Sequence, residues 1–181
     1  MMDNLSENIP ATISIDTPTI KYLNPEYNNN VKRKMIQKIA VGHAGNGISI
    51  INKLPERRFN IVVSDYIVHS EYYSGHFLVY KGDIIKSIFF RGTNSDPNLI
   101  RRGPITEYTI VEPTNMKADI TVFDKLFKLL NYSGFACPEF TIVNEKILMF
   151  EINARAGGSL ITNKKYCGEF FQSIIDLQIS D

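Results

Sequence analysis

Apolar residues recur along the chain in short runs broken by glycine, proline or asparagine, and only two stretches show helical spacing. The short runs read as strands. Met35–Val41 (MIQKIAV) and Ile48–Ile51 flank a glycine-rich turn, and Asn60–Val68 (NIVVSDYIV) is a strand of the buried type. His76–Tyr80 and Asp83–Phe90 form a hairpin around Lys81-Gly82. In the run Ala118–Leu130, helical spacing gathers Val122, Phe123, Leu126, Leu129 and Leu130 on one face. Asp119 lies in its first turn, and Asn131 and Gly134 are its stop signals. A second helix near Glu169–Leu177 stripes Phe170, Ile174 and Leu177 together. Residues 1–30 are polar, punctuated by Pro10, Pro18 and Pro25, and read as an extended or disordered lead-in. Within them, Thr12–Ile15 reads as an edge strand. Hairpins with a few helices make the chain α+β.

The stretch Glu139–Ser159 (EFTIVNEKILMFEINARAGGS) carries the most pointed pattern. Two apolar runs flank the polar loop Asn144-Glu145-Lys146. If Val143 pairs with Ile147, the residue opposite Glu139 is Glu151. Alternation then puts Thr141, Met149 and Asn153 on the face of the glutamates. Phe140, Ile142, Leu148, Phe150 and Ile152 fall on an apolar face. Carboxylates directly opposite each other repel, and a cation between them relieves the repulsion. Two carboxylates and the amide oxygen of Asn153 are hard ligands, suited to Mg²⁺ or Mn²⁺ rather than zinc. On the hairpin alone, a solvated strand face kept soluble by its glutamates fits equally well.

Composition narrows the classes. With 181 residues, 44% hydrophobic and 22% charged, the chain suits one domain with a proper core, built as one or two lobes. A net charge of +1 gives no electrostatic case for nucleic acid or an anionic membrane. No apolar run approaches a membrane span, and the opening MMDNLSENIP lacks the regions of a secretory signal. Cys137 and Cys167 are too few and too far apart for a metal knuckle and read as reduced thiols of a cytoplasmic protein.

The turn Gly42-His43-Ala44-Gly45-Asn46-Gly47 has GxxGxG spacing but joins strand to strand, unlike the dinucleotide-binding fingerprint. Its glycines let backbone N–H groups converge on an anion, with Lys38 upstream adding a point charge. A glycine-rich turn without a ligand is the plainer alternative. Residues 91–106 read as a loop carrying Arg91, Arg101 and Arg102, either a solvated surface or contacts to phosphate or substrate. His43, His69 and His76 read as structural or loop residues, and His43, inside the glycine turn, has the best claim of the three to touch phosphate.

In this order, the pieces from about Met35 to Leu160 resemble the ATP-grasp superfamily, whose usual members are ATP-dependent carboxylate ligases. The motifs are Lys38 at a strand end, GHAGNG, the hinge VVSDYI, the late helix, and Glu139 a hairpin ahead of EINAR (Glu151–Arg155). The resemblance implies two small α+β lobes with antiparallel sheets holding ATP between them, over residues 31–181. The glycine-loop lobe and hinge would span 31–67 and the metal-binding lobe 68–181. Glu139, Glu151 and Asn153 would hold Mg²⁺ on ATP phosphates, and Arg155 would contact phosphate or the acyl phosphate. Lys38 and the loop residues Gly42, His43, Gly45, Asn46 and Gly47 would close over the α- and β-phosphates. Ser64, Asp65, Tyr66 and Ile67 would line the adenine, and Glu71 would bind the ribose hydroxyls.

Three departures qualify the resemblance. Ser64 stands where a hinge glutamate is common, and Ala154 where a proline is common. Family enzymes also carry an N-terminal α/β domain that about 35 polar residues cannot supply. The activity implied is a ligase that makes an acyl phosphate from a carboxylate and ATP for attack by an amine. The alternatives are a non-catalytic or partial ATP-binding module, one half of a split ligase needing a partner chain, or an unrelated α+β domain. A homodimer is compatible with each.

Overall fold

A computed structural model describes residues 12–16, 19–22, 34–39, 47–53, 61–93 and 108–180. They divide into two compact units that meet in sequence between Ser70 and Glu71.

The first unit is a five-stranded antiparallel sheet in the order β2-β1-β5-β3-β4. Its strands are β1 (Thr12–Asp16), β2 (Thr19–Tyr22), β3 (Met35–Ile39), β4 (Ile48–Ile51) and β5 (Ile61–Asp65). β1 and β2 lie within the segment read as a lead-in. β1 is a strand as expected, but β2 and β5 pair with it on both sides, so it is not an edge. Met35, Gln37, Ile61 and Val63 alternate onto a buried face, as half-buried strands require. Lys38, Val62 and Ser64 are only partly buried on the other face.

The second unit is a five-stranded antiparallel sheet in the order β10-β9-β6-β7-β8. Its strands are β6 (Glu71–Tyr80), β7 (Asp83–Thr93), β8 (Thr109–Val111), β9 (Gly134–Val143) and β10 (Lys146–Asn153). Arg91 therefore lies in β7 and not in a loop; its partner is Tyr73 of β6, and strand pairing continues past Phe90 to Thr93. The helix α1 (Thr121–Leu130) covers one face, packing Phe123 and Phe127 onto Phe77, with Phe123 also against Phe89 and Phe140. The side chain of Asp119 accepts hydrogen bonds from the Thr121 N–H (2.9 Å) and hydroxyl (2.6 Å), which fixes the helix start. Asn131 ends it in the left-handed region at φ 45°, as the stop signal implied. The buried stripe is Val122, Phe123 and Phe127, whereas Leu129 and Leu130 are exposed.

On the other face, α2 (Gly158–Thr162) and α3 (Lys164–Ser180) bury Leu160 and Phe170 against Leu78, Ile88 and Phe90. Ile174 and Leu177 join the same cluster, so the stripe read from the sequence is the packed one, on a longer helix. No helix among the described residues is long and apolar enough to cross a membrane. Cys137 and Cys167 are free thiols.

Candidate functional site

The β9–β10 hairpin turns on two residues, Asn144 and Glu145, both at positive φ (50° and 64°). Lys146 pairs with Val143, so the turn is one residue tighter than the sequence suggested. Up to Met149 the register follows from that turn, with Met149 opposite Phe140 and Leu148 opposite Thr141. This reverses the expected faces of Met149 and Leu148. Met149 is buried beside Phe140 because it is in the apolar layer, not beside the glutamates. A bulge at Phe150 then adds one residue to β10 and restores the expected pairing: Glu151 faces Glu139, Ile152 faces Pro138 and Asn153 faces Cys137. Past the bulge the apolar face thins out, and Ile152 is 44% exposed.

Around this pair the charges gather. The Asn153 Nδ2 donates to Glu151 Oε1 at 3.0 Å, which directs the amide oxygen away from that carboxylate. The Cys137 thiol, buried on the same face, is pushed up to about 12, first by desolvation and then by the Glu139 carboxylate. Arg155 pulls it down and Glu151 adds to the rise, so all three charged residues act on one sulfur. Arg155 is exposed, and its Nη1 donates to the Ala156 carbonyl at 3.1 Å. Among the described residues, no three His, Cys, Asp or Glu side chains gather as a metal cage. Two carboxylates and an amide leave most of an octahedral sphere to be filled by water or phosphate. That donor set suits Mg²⁺ arriving on a nucleotide better than a resident ion.

Next to the pair, the small-residue loop after Asn153 is held from below and from the side. A Cβ on Gly157 would lie 2.5 Å from both Cys137 Sγ and His76 Cε1, so only glycine allows this approach. His76 Nε2 is 2.7 Å from Ser159 Oγ, and the Tyr108 hydroxyl donates to the Ser159 carbonyl at 3.1 Å. The sequence does not point to His76 or Tyr108, and it offers Ser159 only as the end of the loop Ala156–Ser159, a candidate for substrate contact. The run Ala154–Ser159 was the signal, since small residues mark close packing, but nothing in it named the partners.

Glu71 stands elsewhere. Its carboxylate accepts from the Tyr73 hydroxyl at 3.1 Å and meets Arg91 Nη1 at 3.5 Å. Tyr73 packs on Phe140, whereas Ser74 pairs with Glu139, so alternation puts Glu71 and the glutamate pair on opposite faces of the sheet. In the first unit, Lys38 and Ser64 share a face of the β3–β5 ladder. Asp65 pairs with Met35, and the Tyr66 N–H donates to the Lys34 carbonyl at 3.0 Å, so it is spent within the unit. The Ile67 carbonyl accepts from His69 Nδ1 at 2.8 Å. Gly47, at φ 75°, closes the β3–β4 connection by accepting from the Ile39 N–H at 3.1 Å. Gly42, His43, Gly45 and Asn46 lie outside the described residues, as do Arg101 and Arg102.

No protein-family model matches the sequence, and no curated protein matches it significantly. Solved structures do match. D-alanine–D-alanine ligase from Bacillus anthracis is similar at a TM-score of 0.61 and 15% identity, over 98% of this chain and 65% of that enzyme. The same enzyme complexed with ATP matches at 0.56 and 14%, over 97% of this chain and 64% of that one. D-alanine–D-alanine ligase from Helicobacter pylori matches at 0.60 and 11%, over 95% and 57%. The chain thus spans 65% or less of the length of these enzymes. Its fold is that of the ATP-grasp enzymes, α+β with antiparallel sheets.

Proposed function

We propose that the chain binds ATP with Mg²⁺ and activates a carboxylate for attack by an amine. The observation that carries this reading is the opposed pair Glu139 and Glu151, brought face to face by the irregularity between Met149 and Glu151. Like charges placed this way on an ATP-grasp fold make sense as a seat for a cation. Glu139, Glu151 and, once its amide turns from the bond to Glu151, the Asn153 oxygen would hold Mg²⁺, or Mn²⁺. When bound, the ion neutralises charge on the transferring phosphoryl group.

The chain's own groups do the rest by position and electrostatics. A substrate carboxylate oxygen forms a bond to the γ-phosphorus, and the bond to the bridging oxygen breaks to leave ADP. An amine nitrogen then bonds to the acyl carbon, inorganic phosphate leaves, and the nitrogen gives up a proton. Arg155 donates to the phosphoryl oxygens through both steps. Lys38 and the loop of Gly42, His43, Gly45, Asn46 and Gly47 cover the α- and β-phosphates. Ser64, Asp65, Tyr66 and Ile67 line the adenine, with the Tyr66 N–H excluded as a donor by its bond to Lys34. Glu71 is held by Tyr73 and Arg91 on the opposite sheet face from the glutamate pair, so it is left out of this site.

A second reading rests on extent: the chain spans 65% or less of the ligases it matches. In it, the chain binds ATP as a partial module, and a partner chain supplies the carboxylate and amine sites. One experiment separates the readings. Mg-ATP at about 100 times its Kd should raise stability by about 2.7 kcal/mol, read as a higher Tm. No shift at millimolar Mg-ATP sinks both. ADP release in the presence of pooled amino acids and peptides then supports the ligase, and a shift without release supports the module.

A further inference from the structure

The loop that follows the glutamate pair is tied to the sheet by a histidine the proposed chemistry does not use. His76 sits in the middle of β6 and is 1% exposed. The register that pairs Ser74 with Glu139 and Phe77 with Ala136 puts His76 abreast of Cys137, on the glutamate face. Its ring stands edge-on to Phe90 at 5.4 Å, and Tyr108 stands edge-on to the same Phe90 at 4.8 Å. From these two rings come the two polar contacts to Ser159: the His76 Nε2 to its hydroxyl and the Tyr108 hydroxyl to its carbonyl. The Tyr108 hydroxyl also meets Thr162 Oγ1 at 3.0 Å, so the contact continues into α2.

Among the described residues, the His76 Nδ1 is buried without a partner. A buried N–H without an acceptor is rarer than a buried acceptor without a donor. The proton therefore belongs on Nε2, and His76 donates to Ser159. Burial keeps the ring neutral, with its pKa pushed down to about 4. The ring is thus a fixed donor, aimed at one atom of one loop.

Gly157 completes the clamp. It lies against His76 and Cys137 so closely that no side chain fits, and it stands two residues beyond Arg155. The Leu160 and Ile161 N–H groups both donate to the Gly157 carbonyl, at 3.2 and 3.1 Å. Arg155 is therefore caught between the end of β10 and a loop pinned at Gly157 and Ser159.

We propose that His76 is a positioning residue for Arg155, holding the loop Ala154–Ser159 against β6 through the Ser159 hydroxyl. Its effect on turnover rests on the proposed ligase reading; its effect on the loop does not. A reacting group displaced by about 1 Å can lose on the order of 100-fold in rate while substrate binding survives.

Three variants test it: His76→Leu removes the donor, Ser159→Ala removes the acceptor without touching the core, and His76→Gln keeps an N–H near the Nε2 position. The first measurement needs no activity. Limited trypsin digestion follows cleavage after the exposed Arg155, with its rate taken relative to cleavage after the exposed Lys53. His76→Leu and Ser159→Ala should raise that ratio about five- to tenfold, as expected for local opening after loss of one buried hydrogen bond. His76→Gln should stay within about twofold. The second measurement is ADP release with Mg-ATP and pooled amino acids. His76→Leu should lower kcat at least about tenfold with the KM for ATP changed by less than about threefold, and His76→Gln should recover most of it. An unchanged ratio in both His76→Leu and Ser159→Ala overturns the proposal. So does a His76→Gln chain that behaves like His76→Leu. If the ratio rises while the wild-type chain shows no Mg-ATP shift, the clamp stands and the nucleotide reading falls.

Discussion

Glu151 faces Glu139 because Phe150 is an extra residue in β10. Continued from the turn, the register would set Phe150 opposite Glu139 and Glu151 opposite Pro138. The bulge moves the second carboxylate one place along and so onto the sheet face of the first. A hairpin built only for solubility has no reason to spend a bulge on bringing two like charges together.

That pairing predicts opposite effects of one substitution in two conditions. Glu151→Gln removes the repulsion and should stabilise the ligand-free chain by about 0.2–1 kcal/mol. The same change should abolish the Mg-dependent part of the ATP-induced rise in Tm. Thermal melts with ATP alone, Mg²⁺ alone and both check it. Metal dependence that persists unchanged would mean the hairpin does not seat the ion.

The turn offers a test of the register itself. Glu145 sits at φ 64° next to Asn144 at φ 50°, the conformation for which Asn-Gly is the favoured pair. A side chain there costs on the order of 1 kcal/mol, so Glu145→Gly should stabilise the chain by about that amount. Denaturant melts measure it. A loop of three residues, as the sequence alone suggested, would place Glu145 at its centre, with no requirement for two consecutive positive φ values and no such gain.

How the residues were legible follows from what each signal depends on. The Glu139–Glu151 pairing was readable because two apolar runs bound a short polar loop, yet the route to it was not. Lys146 looks like a loop residue and is a strand residue, and the bulge at Phe150 compensates for the error without any mark in the sequence. Helix α1 was readable from its spacing, whereas the choice of Phe127 over Leu129 and Leu130 is made by the aromatic layer it meets. The polar run after Arg91 has the look of a loop and hides the end of β7, which pairing with β6 sets. His76, Tyr108 and Ser159 come from three separate segments, and only the fold brings them together. Glu71 shows the converse: a position in a motif says nothing about which sheet face its side chain takes.

His76 also makes a prediction for pH. Its pKa falls from 6.5 to about 4 on burial, and the cause is desolvation alone. Between those values the unfolded chain binds more protons at this site than the folded one, so stability rises with pH across the window. The contribution of His76 is therefore intact above about pH 6.5 and is lost as the pH falls towards 4, to the extent of about 3 kcal/mol. Carboxylates titrate lower in the same range, so the wild-type curve alone does not isolate the histidine. The difference between wild type and His76→Gln does, because glutamine has no proton to gain. That difference should be constant from about pH 7 to 8 and should shift in favour of the glutamine chain by about 3 kcal/mol at pH 4. Urea melts of the two proteins over that range measure it, and parallel curves would show that the ring is not buried in its neutral form.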